Sequence, residues 1–263
     1  MRRESAGYGL VELLVAVLVL SIAMAGVVVV FATHSRAYLR ADAQSTMEAN
    51  LRLGMNMVTE SLRNGRYGVP STNISNWITW VPGFNANPTI TLNGSNPAVI
   101  SVASASAQPV ATLTAHVDAA ATTLAVNSSS QLSTGPLRLL LIGDSENALV
   151  TAVNSTQITI DTNPLVAGNQ GLARAYPQGT PIYRVDVITF SVGSYASQLL
   201  RNDNQGSGAQ AAVEGITNLQ VLTVNPNKAY NITLTAQSSQ VDALTHQNLT
   251  SSLRSKVMLA NWN

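Results

Sequence analysis

Hydrophobic and polar positions change their spacing twice along the chain. From Leu13 to Thr33 there is no charged residue, a run of 21 residues. As a helix this run measures roughly 31 Å at about 1.5 Å per residue, enough to cross a bilayer core of about 30 Å. A membrane span is therefore expected over about 10–33. Beyond it, Leu39, Ala43, Met47, Leu51, Met55, Val58 and Leu62 recur at spacings of three and four, and so share one helical stripe. Arg40, Asp42, Glu48, Arg52, Glu60 and Arg63 fall mostly off that stripe. The first proline is Pro70. The pattern predicts one long helix over 8–66, unbroken from about Gly9 to Asn64. Its first part would lie in the membrane and its second against a globular head. Gly65 is the expected stop, since glycine tolerates the backbone that ends helices.

After Gly68 the period becomes two. Thr89–Leu92, Thr123–Val126, Leu137–Ile142, Ala148–Val153 and Gln157–Ile160 are rich in β-branched and aliphatic residues. Turn clusters separate them, around Asn93–Pro97, Ser133–Pro136, Gly143-Asp144 and Asn154-Ser155. Strands so closely spaced suggest a small barrel or sandwich, placed as a β insertion at about 110–181. Ser101–Ala107, made of small residues, is expected to be a loop or an edge. In the last third, strands are expected from Ile182 through Phe190, over Gln198–Arg201, with Ala212–Leu222 following, and over Ser252–Leu259 in the same sheet. The fold class is α+β: a long N-terminal helix, transmembrane then amphipathic, packed on a C-terminal antiparallel β-rich head over 67–263 that carries a small all-β insertion.

Composition narrows the function. Charged residues are only 10% of 263, against a usual quarter or so. Lys+Arg number 14 and Asp+Glu 13. That is no electrostatic footprint for nucleic acid. There is no cysteine, hence no disulfide and no thiolate metal site. His34, His116 and His246 stand apart, with no second ligand at metal-binding spacing. No Gly-x-Ser-x-Gly, phosphate-cradling loop or cysteine nucleophile occurs. Neither an enzyme, a metal nor a cofactor is expected. Asn202-Asp203-Asn204-Gln205-Gly206 is rich in oxygen ligands but lacks the regular acids of a calcium loop, so a hairpin turn is expected there. Asp144 and Glu146 flank a turn and are expected to be solvated.

The chemistry is concentrated at the start of the chain. Arg2-Arg3-Glu4-Ser5-Ala6-Gly7 is a short basic leader, followed by Tyr8-Gly9-Leu10-Val11-Glu12. Read plainly, this is a signal anchor whose arginines hold the N-terminus in the cytoplasm. That reading leaves Glu12 unexplained. A carboxylate in a membrane helix costs about 2.5–3.5 kcal/mol on insertion scales. Such groups usually have a partner, and none lies nearby in the chain.

Gly7-Tyr8-Gly9-Leu10-Val11-Glu12 resembles the class III signal of type IV pilins and type II secretion pseudopilins. The resemblance implies that prepilin peptidase removes residues 1–7, cutting between Gly7 and Tyr8, and that Tyr8 becomes the N-methylated terminus. It implies that Glu12 is the assembly contact, pairing with the N-terminal ammonium of a neighbouring subunit. Tyr8 stands where the family usually has Phe, and Gly9 where it has Thr or Ser. Losing Arg2, Arg3 and Glu4 with the leader would bring the formal charge from +1 to zero. Many pilins close the C-terminal region with a disulfide, which this chain cannot form.

Ser35-Arg36-Ala37-Tyr38, Met47-Glu48-Ala49-Asn50-Leu51-Arg52 and Leu62-Arg63-Asn64-Gly65-Arg66-Tyr67-Gly68 are similar to the helix of PilW-type minor pilins. Met47 replaces their usual Gln. Ala212-Val213-Glu214-Gly215-Ile216-Thr217-Asn218-Leu219-Gln220 is similar to the C-terminal sheet of PilW-type and J-type subunits. The resemblance implies a minor pilin that starts or caps a type IV pilus, or else a J-like pseudopilin or an adhesin-like tip subunit. The implied partners are other major and minor pilins through the N-terminal helix, prepilin peptidase and the inner-membrane assembly platform. The protein would sit single-pass in the inner membrane, N-terminus cytoplasmic and head periplasmic, before entering a cell-surface pilus.

Overall fold

The structure is a computed structural model. It describes residues 9–65, 90–93, 99–132, 134, 139–193, 197–203, 208–225, 229–242 and 245–259. Gly7, Tyr8, Arg66-Tyr67-Gly68, the turn residues 94–97, most of the turn 133–136 and Asn204-Gln205-Gly206 lie outside these. The fold is α+β: one long helix, α1 (Leu10–Asn64), and antiparallel strands after it. Two compact units form. One joins the helix as far as Thr46 with Ser238–Leu249. The other runs from Met47 to Gln237 and resumes at Thr250.

The helix is unbroken, as its lack of proline predicts. Within the larger unit its buried stripe is Met47, Leu51, Met55, Val58 and Leu62, with Val58 and Leu62 wholly inaccessible. Burying such a side chain stabilises by about 1.5–3 kcal/mol. Gly54 joins this face for a steric reason. A Cβ there would stand 3.3 Å from Leu234, 3.4 Å from Leu199 and 3.8 Å from Val213, so helix and sheet meet closely. Asn50 Nδ2 donates to the Glu214 carbonyl at 3.2 Å. At the C-terminus Gly65 N donates to the Leu62 carbonyl at 3.1 Å, closing the last turn.

The first strands are β1 (Ile90–Asn93), β2 (Val99–Ala105), β3 (Ala111–Thr112), β4 (Thr123–Ala125), β5 (Leu139–Ile142), β6 (Glu146–Val153) and β7 (Gln157–Asp161). They are followed by β8 (Pro181–Val192), β9 (Gln198–Asn202), β10 (Gln210–Glu214), β11 (Ile216–Asn225), β12 (Ala229–Val241) and β13 (Asn248–Met258). The long β8 organises a 10-stranded sheet. Its start pairs with β3 and β5, Ile182 facing both Ala111 and Ile142. Its remainder pairs with β2, and its end also with β9. From β8 the order runs β5-β6-β7-β4. A bridge from Leu113 to Val126 then joins the continuations of β3 and β4, so the pairing closes on itself as a small barrel.

Residues 111–182 supply that barrel's core. Leu124, Ile142, Ile158, Ile160 and Ile182 have no accessible surface, and Leu172 and Tyr176 plug it. Alternate residues of β5 point the other way: Leu139 and Leu141 pack with Ala103, Ala105, Val185 and Val187. All four residues of β5 are therefore buried, which is why its sequence shows no alternation. Ala120 N donates to the Leu172 carbonyl at 2.7 Å. A Cβ on Gly171 would fall 2.0 Å from the Ala120 oxygen, so glycine is required there.

Several expectations need correction. Most of Ser101–Ala107 is not a loop; only Ser106 and Ala107 lie past the strand. Ser101–Ala105 belongs to β2, paired along its length with β8 and, at Ser101 and Val102, also with β1. Ala212–Leu222 divides between two strands. Gly215 takes φ +77° and breaks it, sending β10 to β9 and β11 to β12. The closing strand is not in the same sheet as β8 and β9: β13 completes a separate 3-stranded sheet, β11-β12-β13. Glu146 is not solvated but 2% exposed. Its Oε1 accepts from Ala173 N at 2.7 Å and its Oε2 from the Tyr176 hydroxyl at 3.1 Å, because the strand that follows the turn carries the side chain under the 171–176 segment. Burial pushes the Tyr176 hydroxyl above its ordinary value. The hydrogen bond with Ser145 opposes this, and the negative charge of Glu146 adds to it.

Candidate functional site

The site is the exposed N-terminal half of α1. As a helix this proline-free run satisfies its own backbone polar groups, as a segment in hydrocarbon must. The two hydroxyls in the run obey the same rule. Ser21 Oγ donates to the Val17 carbonyl at 2.7 Å and Thr33 Oγ1 to the Val29 carbonyl at 2.8 Å, so neither needs a partner outside the helix.

Every Leu, Val, Ile, Met and Phe from Leu10 to Phe31 is between 54% and 80% exposed. The helix is apolar on all sides, without the single buried stripe of its second half. It contains an 18-residue window of mean hydropathy 3.1, none of it buried. A surface this large and this apolar marks a membrane or partner contact. A Cβ on Gly26 would touch nothing within 4 Å, so nothing within the described chain requires a glycine there.

Glu12 stands in the first turn, exposed, the one charge between Leu10 and Thr33. It is held by the helix start itself: Gly9 N donates to Glu12 Oε2 at 3.2 Å. The Gly9 carbonyl in turn accepts from Glu12 N at 3.0 Å and Leu13 N at 3.3 Å. Gly9 is thus the N-cap and Glu12 the third helical residue, one half of a capping box. The carboxylate lies beside the positive end of the helix dipole and beside the point where the chain enters from Tyr8. Of the sequence-predicted site residues, Glu12 is placed; Gly7 and Tyr8 lie outside the described residues.

The remaining candidates do not converge. His34 is exposed on the helix, and His116 pairs at 3.2 Å with the exposed Asp118. His246 occupies a hairpin position with φ +54°. Among the described residues no three His, Cys, Asp or Glu side chains gather as metal ligands. One polar contact escaped the sequence reading: Asp242, in the hairpin between β12 and β13, lies 3.7 Å from Arg40 Nη1. Its signal was the alternation Tyr230, Ile232, Leu234, Ala236, which predicts a strand leading to that turn.

Residues 2–28 match the family described as the prokaryotic N-terminal methylation motif. No curated protein and no solved structure matches the chain. The match covers the leader, Glu12 and most of the apolar run, and it supports a type IV pilin-like or pseudopilin protein with a class III signal, a structural family and not an enzymatic one.

Proposed function

We propose that this protein is a minor pilin, a structural subunit that helps start or cap a type IV pilus. The observation that carries the reading is Glu12: a lone carboxylate on a wholly exposed apolar helix, one turn from the start, inside a matched methylation motif. Prepilin peptidase cuts between Gly7 and Tyr8, and Tyr8 is then methylated on its new amine. In the filament the apolar helices pack together, and Glu12 meets the N-terminal ammonium of a neighbouring subunit. The bond from Gly9 N holds the carboxylate at the level where that ammonium arrives. In such a low-dielectric layer an ion pair is far stronger than at a surface, and removing one partner costs about 3–5 kcal/mol. Residues 110–181 are read as an insertion module of the head, and their barrel is not needed for this contact.

The test has two arms. Mass spectrometry of the mature protein is expected to show a chain that begins at methylated Tyr8; any other start rejects the processing step. Glu12→Ala is expected to leave cleavage and membrane insertion intact while lowering the protein's share in sheared pili relative to the membrane. Equal incorporation of wild type and variant would reject the assembly role.

A further inference from the structure

We draw no further inference here: the strongest candidate, the cleft of about 310 Å³ between the last turns of α1 and the strands β2, β8 and β9, lined by Met57, Glu60, Ile188 and Arg201 among others, carries none, because residues 66–89, which join Gly65 to Ile90 at its border, lie outside the described residues and nothing in the structure shows what covers it.

Discussion

The span at Leu10–Phe31 and the barrel strand β5 are made of the same kinds of residue and meet opposite fates. Leu139, Leu140, Leu141 and Ile142 are each 3% exposed or less; the large apolar residues of the span are all more than half exposed. Hydrophobicity alone does not separate them. Length and hydrogen bonding do. A four-residue strand cannot satisfy its own backbone, so it must pair, and its neighbours cover both faces. A long helix satisfies every backbone group internally and is left with nothing to pair with but lipid or other helices. The contrast teaches that an apolar segment joins the core when its backbone needs partners, and leaves it when its backbone does not.

Matched truncations break the comparison most strongly. Leu140→Ala is expected to cost about 2–5 kcal/mol through lost transfer energy and an unfilled cavity, seen as a lower denaturant midpoint of the head. Leu18→Ala is expected to change that midpoint by no more than about 0.5 kcal/mol. Equal losses would mean that the span packs inside the fold. A charge placed in the span sharpens the other side. Leu20→Arg is expected to cost about 2.5–3.5 kcal/mol of insertion, moving protein from the carbonate-resistant membrane fraction to the soluble one, with head stability unchanged. Retention in the membrane would show that the segment is not held there by its apolar surface.

Within the barrel a buried charge tests how its plug is fixed. Glu146→Gln keeps the shape but weakens two charge-assisted hydrogen bonds, and a loss of about 1.5–3 kcal/mol is expected at neutral pH. An unmoved urea midpoint would sink the idea that Glu146 fastens the 171–176 segment. The smallest effect is alkaline. Tyr176 has a raised value in the fold, so its neutral form is the favoured one there. Its contribution is complete below about pH 10, where an unfolded tyrosine titrates, and is lost as pH rises through the higher folded value. Wild type is therefore expected to lose melting temperature more steeply than Tyr176→Phe above that point. Parallel curves would reject the buried hydroxyl as the cause.

Much of this was legible in the residues themselves. The continuous helix follows from period and absence of proline, its end at Asn64 from Gly65, and the cores of β4, β5, β6 and β7 from short aliphatic runs between turn clusters. Glu12 stands out as the lone charge of an apolar run. Other features were hidden locally. Val99–Ala105 is too rich in Ser and Ala to look like an inner strand, and only its neighbours β1 and β8 make it one. Gly54 reads as a weak helix residue until Leu234 and Leu199 are seen to crowd it. Glu146 reads as a turn carboxylate until Tyr176 and Ala173, far along the chain, arrive above it.

The sequence by itself determined the elements whose causes are local: a helix from its period, turns from Gly and Asn, and a membrane-length run from its uninterrupted apolarity. Only the tertiary structure decided which elements share a sheet, that β8 serves two sets of strands, that β12 and β13 form a sheet of their own, and that Asp242 meets Arg40. These depend on contacts between residues far apart in the chain. No local propensity encodes such a contact, and its energy exists only once both partners are in place.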